Sequence, residues 1–355
     1  METFFCHFRR TLLASPARAA GVLLAVLFLA FPPGVSPAPQ EQETFVVYYG
    51  CSGQWEVATP LTAREKSAAK TTIVSAAGIT WNLTYLDAAN TGWNDTTRGP
   101  RRKQVLQAVL LNLSAMLDHP GGRCDVELRV SEFDGSGVLA SGGTLYRTSA
   151  SAPNGYQPGL AFQNITTAVD IAPTLPDIRL RVDWGWRWHE EFSAPPDDVQ
   201  DLYSVLLHEM AHALGYNSLA ESNGSSKFEV GSGKKIFTTY DNLLFERATG
   251  RKLWDANLNF QGSNLAGGAN FIELRSQRAH NVYPGRTFPP VHTPTTFSDG
   301  RSLSHWQTAE TPLEAIMRFT TPGGELRRGF SPFERAVLEE LGYRLKPDPT
   351  FWMMY

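Results

Sequence analysis

The sequence predicts an α+β fold: a twisted mixed sheet with one backing helix, a second helix bearing a metal-binding motif, and a loop-rich C-terminal subdomain closed by a terminal helix. Three observations predict it. Short segments with apolar residues at every second position recur before residue 185, as strands with one buried face require. Two longer segments carry apolar residues at three- and four-residue steps, the period of a helix face. Beyond Asn217 the periodic signal weakens, and Gly and Ser crowd residues 223–226, 231–233 and 262–268.

The elements follow in chain order. Arg9, Arg10 and Arg18 precede an apolar run, Ala19 to Phe31, that Pro32, Pro33 and Gly34 terminate. This is the layout of a secretory signal over residues 1–38, with small residues Ser36 and Ala38 near its end, and the run is too short for a membrane span. The expectation is an exported protein, secreted or periplasmic, with no membrane contact beyond that segment. Thr44–Tyr49 and Ile79–Tyr85 read as strands, Lys66–Ala77 is ambiguous, and Arg101–Leu117 reads as the backing helix. Pro120-Gly121-Gly122 turns the chain into a strand over Cys124–Val130, and further strands fall near Val138–Leu145 and Ile178–Trp184. Residues 39–215 thus form a first subdomain and 216–355 a second. Within the second, Thr239–Thr249 reads as a short helix or strand. Ser331 caps a helix to Leu341, with Pro332 at its first position, Glu334 at its third and Gly342 after its end.

Composition narrows the function classes. The 355 residues are 42% hydrophobic, enough for a sizeable core, and the net charge is −3. No Lys/Arg run stands out, which argues against a nucleic-acid partner. Cys6 lies in the presumed signal, leaving Cys51 and Cys124. An even pair in an exported chain is compatible with one disulfide or with two free thiols. Cys51, near the mature N-terminus, is also a candidate to cap a metal as a thiolate in a latent form.

The most informative stretch is Leu206 to Tyr216, which reads H-E-x-x-H-x-x-G through His208, Glu209, His212 and Gly215. Pro195 to Asp198 look like a stop and an N-cap, with Asp201 in the first helical turn. Val199, Leu202, Tyr203, Leu206, Met210, Ala213 and Leu214 then form one stripe, with His208 and His212 on the opposite side. Residues four apart on a helix lie one above the other, so two imidazoles can hold one Zn²⁺ and the carboxylate between them can reach a water beside it. Gly215 is placed to take φ > 0, end the helix and turn the chain back over the metal. A catalytic zinc takes three protein ligands and keeps one position open. Three residues after Gly215 stands Ser218, which cannot serve. The remaining candidates are His280, His292 and His305 downstream, His119 and His189 upstream, and Glu246.

Here the chain resembles the leishmanolysin-like metzincins, on the motif over Asp201–Tyr216 and on Ser302-Leu303-Ser304-His305-Trp306 followed by Ile316-Met317. Bacterial secreted relatives of that group are nearer, because the dense cysteine framework of the protozoan enzymes is missing. The resemblance implies a metzincin-like fold, His305 as third zinc ligand after a long insert, and Met317 in a turn beneath the metal, shaping the site without binding it. The function expected is that of a secreted zinc endopeptidase acting on protein or peptide substrates. In this reading Glu209 is the general base towards a metal-activated water. A peptide would add as a strand to a sheet edge near the metal, for which Ile178–Trp184 is a candidate. Two other classes stand beside it: a non-catalytic secreted adhesion or binding protein with zinc as a structural element, and a zinc hydrolase of non-peptide amides.

Overall fold

The computed structural model describes residues 43–131, 134–231, 233–267, 272–320 and 322–347. The segment read as a secretory signal lies outside them. Among the described residues no helix is long and apolar enough to cross a membrane.

In chain order the elements are β1 (Phe45–Tyr48), β2 (Trp55–Val57), α1 (Ala63–Ala68), β3 (Lys70–Ala76), β4 (Ile79–Tyr85), α2 (Gly99–Met116), β5 (Arg123–Val130), β6 (Ala140–Arg147), β7 (Gly155–Gln157), α3 (Leu160–Thr167), β8 (Ile178–Val182), β9 (Trp188–His189), β10 (Gln200–Asp201), α4 (Leu202–Ala213), β11 (Phe228–Val230), β12 (Lys234–Thr238), β13 (Leu244–Glu246), β14 (Ile272–Leu274), α5 (Gln277–Val282) and α6 (Pro332–Glu340). Seven strands make one mixed sheet in the order β2-β1-β6-β8-β5-β4-β3. β4, β5 and β8 run parallel, and the pairs β3/β4, β6/β8, β1/β6 and β1/β2 are antiparallel. α2 is the crossover between parallel β4 and β5, as a parallel pair demands.

The alternation over Ile79–Tyr85 has the meaning expected of it: Ile79, Trp81, Leu83 and Tyr85 are buried and the residues between them half-buried. Val105, Leu106, Val109, Leu110 and Leu113 on α2 join the same apolar cluster, which also takes in Leu206 and Met210 of α4. The two helices therefore share one core, which continues into Phe237, Leu274, Trp306 and Val337 of the second half. The ambiguous stretch Lys66–Ala77 resolves into the end of α1 and strand β3.

Three expectations change. Ile178–Trp184 offers no free edge, because β8 is paired on both sides, by β5 and by β6. A one-dimensional pattern marks a strand but not its neighbours. The helix of the motif begins later than Asp198: β10 pairs with β9 and keeps the chain extended through Gln200–Asp201, so Asp201 is the N-cap. All of α4 is buried, so His208 and His212 face away from the apolar stripe but not towards solvent. Of the states left open for the cysteine pair, the structure has free thiols at Cys51 and Cys124, with Cys124 buried on β5.

Asp201 fixes the start of α4 twice over. One carboxylate oxygen accepts from the Ser204 backbone N–H at 3.0 Å, and the carboxylate pairs with the Arg328 guanidinium near the start of α6. Asp201→Ala removes the cap and leaves Arg328 without its buried counter-charge. It is expected to lower stability by about 3 kcal/mol, read as a fall in urea midpoint at constant m-value; a shift below about 0.5 kcal/mol would refute the assignment.

Candidate metal centre

α4 presents His208 and His212 one turn apart, on the side facing β1 and the loop that carries His305. The chain leaves the helix at Gly215, which adopts φ +115°. This turn points the Tyr216 carbonyl back at His212, whose Nδ1 donates to it at 2.6 Å. His305 arrives from a loop pinned by its neighbours: the His292 N–H donates to the His305 carbonyl at 2.7 Å, and the Trp306 N–H donates to the Met317 carbonyl at 2.8 Å.

The same hydrogen-bond pattern recurs at each ring. His208 Nδ1 donates to the Ile316 carbonyl at 2.7 Å, and His305 Nδ1 donates to the Arg301 carbonyl at 3.0 Å. A backbone carbonyl can only accept, so each Nδ1 carries the proton and each Nε2 presents a lone pair. The three Nε2 atoms converge: His305 Nε2 lies 3.2 Å from that of His208 and 3.2 Å from that of His212. None of these contacts is a hydrogen bond, since no proton is left to share. Burial pushes the His208 imidazole down to about 4 and those of His212 and His305 well below the usual range. Neutral imidazole is the ligating form.

The fourth corner is Cys51. Its Sγ lies 3.3 Å from His208 Nε2, 3.5 Å from His212 Nε2 and 3.5 Å from His305 Nε2. A tetrahedral zinc with nitrogen at about 2.0–2.1 Å and sulfur at about 2.3 Å requires N···N near about 3.4 Å and N···S near about 3.6 Å. The four donor atoms, all within 4.8 Å of one another, thus have the spacing of a Cys-His₃ metal site. Cys51 occupies this corner at some conformational cost: its φ is +56°, a region that disfavours side chains, and its N–H is held by the Gly300 carbonyl at 3.1 Å.

Glu209 lies beside the cluster, buried, and among the described residues its Oε2 has no hydrogen-bond partner. Burial raises its carboxyl well above the ordinary range, against the pull of the Cys51 thiol and the Gly142 backbone. A cavity of about 170 Å³ opens next to it, walled by Val138, Leu139, Ala140, Val205 and Phe319. Met317 is buried, adjacent to the Ile316 carbonyl that receives His208.

Glu334 holds this region together. Its carboxylate accepts from the Ser331 N–H and hydroxyl, as a capping box should, and also from the Ile316 N–H, the Met317 N–H and the Trp306 indole. The cap of α6 thereby fixes the residue after His305 and the turn that orients His208. The other ligand candidates do not join the donor cluster. Glu246 accepts from Thr249 and Ser263, His119 accepts from the Arg344 N–H, and His189 contacts Ser193. His292 stacks on Phe319, and His280 contacts Gln277.

No family model, curated protein or solved structure matches the chain.

Two glycines allow the close packing. A Cβ on Gly50 would lie 2.3 Å from His212 Cγ, and one on Gly142 would lie 2.4 Å from the Glu209 carbonyl. Gly50→Ala is therefore expected to displace the His212 ring and weaken metal binding at least about tenfold, by competition with a chromogenic chelator, while far-UV circular dichroism stays native. Unchanged affinity would show that β1 yields and the ring does not.

Proposed function

We propose that the protein is an exported zinc endopeptidase of the leishmanolysin-like metzincin kind, in a latent state in which Cys51 would take the fourth position on the metal. The observation that carries this reading is Glu209: a buried carboxylate with an unpartnered oxygen, set between two metal-ligating histidines and opening on a cavity. A purely structural site has no use for such a group, which costs free energy to bury.

The donor set, three neutral imidazoles and one thiol, suits Zn²⁺ better than a hard cation. Zinc, when bound, supplies Lewis acidity that polarises a scissile carbonyl and eases loss of a proton from water. His208, His212 and His305 would hold it, and their Nδ1–H bonds to the Ile316, Tyr216 and Arg301 carbonyls fix the ring planes. Glu209 receives the proton of the attacking water at its free oxygen and returns it to the leaving amine. The closed apolar surroundings of α4 exclude bulk water from that transfer. Met317 shapes the floor of the site with Ile316.

Latency follows from β1. This strand runs antiparallel along β6 and the chain continues past its end to Gly50, whose N–H donates to the Gly142 carbonyl, so the chain's own backbone covers the edge of β6 as far as Gly142 and the Cys51 thiol would take the position that a reacting water needs. That same thiol supports a second reading, a structural Cys-His₃ site in a binding protein, because structural zinc sites are four-coordinate and closed.

Cys51→Ala separates the two. With zinc added, the endopeptidase reading predicts that this variant cleaves casein or gelatin at least about tenfold faster than the parent, that a chelator abolishes the cleavage, and that further replacement Glu209→Gln removes it with zinc retained. A Cys51→Ala protein that binds zinc and cleaves nothing would favour the structural reading. Cleavage undiminished by Glu209→Gln would remove Glu209 from the mechanism.

A further inference from the structure

Among the described residues, Arg301 is the one permanent charge lining the cavity beside the three histidines. Its backbone is fixed: the N–H donates to the Ser298 carbonyl at 3.1 Å, and the carbonyl accepts from His305 Nδ1. Its guanidinium lies over the Phe319 ring at 5.7 Å from the centroid. Among the described residues it has neither an ion pair nor a side-chain hydrogen bond, although Arg residues elsewhere in the chain are widely paired, as in Arg102–Glu190, Arg179–Glu127 and Arg328–Asp201. The neighbouring Asp299 is engaged by Lys227. The other titratable groups lining the cavity are Cys51, His208, Glu209 and His305.

The direction of a bound peptide follows from β1. That strand runs antiparallel to β6 with residue numbers rising towards the metal, from Phe45 opposite Arg147 to Gly50 bonded to Gly142. A peptide lying in the same sense continues past the metal along Ala140 to Gly137, where the cavity lies open. The residue after the scissile bond therefore enters a space with apolar walls and one unneutralised guanidinium. We infer that Arg301 is a specificity-determining residue that binds a carboxylate on the residue following the scissile bond, and that the apolar walls of Leu139, Val205 and Phe319 take its carbon skeleton. A planar guanidinium presents two N–H groups side by side, which suits it to two parallel bonds to a carboxylate. The carboxylate has two sources, an acidic side chain within a longer peptide or the terminus of a substrate cleaved one residue from its end. This inference rests on the endopeptidase reading for its substrate, but not for the binding itself.

The test uses the full-length, zinc-loaded Cys51→Ala protein and peptides of one common sequence. One pair carries Glu or Gln after the scissile bond; the other ends one residue after it, as free acid or as amide. The expected result is a kcat/KM ratio of at least about tenfold for acid over neutral partner in one pair, falling to near unity in Arg301→Gln. Which pair discriminates identifies the source. Calorimetric titration of the same peptides into the Cys51→Ala, Glu209→Gln protein should show the same preference in Kd, again lost with Arg301→Gln. Cleavage of all four peptides without preference would overturn the role of Arg301 and leave the peptidase reading standing. Binding preference without any cleavage would do the reverse, and neither preference nor cleavage would overturn both.

Discussion

Three imidazole lone pairs pointed at one another are the constraint from which the rest of the molecule makes sense. Left alone they repel, and each ring has been stripped of solvent by burial. A cation between them converts that repulsion into attraction. The carbonyls of Ile316, Tyr216 and Arg301 are what force the lone pairs inward, because each takes up the only proton its histidine carries. Those carbonyls belong to three different segments, and their placement demands the fold: a glycine turn after α4, a loop clamped between residues 292 and 317, and a terminal helix whose cap reaches into that loop.

Much of the sheet was legible in the sequence because one-sided burial leaves a period of two, as in Ile79–Tyr85 and the Cys124 strand. The helix α2 and the capping box of α6 were legible for similar local reasons. What the sequence concealed was adjacency. β8 reads as a fair strand, yet its two neighbours remove it from any role as an edge. Asp198 reads as well as Asp201 for a cap, and only the pairing of β10 with β9 decides between them. Glu334 looks like an ordinary N3 glutamate in the sequence, while in space the same carboxylate also collects the Trp306 indole and the amides of Ile316 and Met317.

The candidate site divides in the same way. His208, Glu209 and His212 are bound by helical spacing, so a single line of text places them relative to one another. His305 is far away in sequence and was picked out by resemblance to a family, not by any local pattern; the fold brings it to the cluster. Cys51 had been one possibility among three for its thiol, and the chain turns at it in a left-handed conformation to put sulfur at the fourth corner. Arg301 carried no signal at all, since a single arginine in a polar loop looks like any other. Its position becomes informative only once Phe319 and the cavity are seen beside it.

The convergence of three Nε2 atoms and one sulfur calls for a single cation between them. X-ray absorption at the metal edge of the purified, zinc-loaded chain reads that coordination directly. The expected result is one zinc per chain, with three nitrogen scatterers at about 2.0–2.1 Å, one sulfur at about 2.3 Å, and loss of the sulfur shell in Cys51→Ser. A chain that binds no stoichiometric metal, or one whose metal sees only oxygen neighbours, would contradict it.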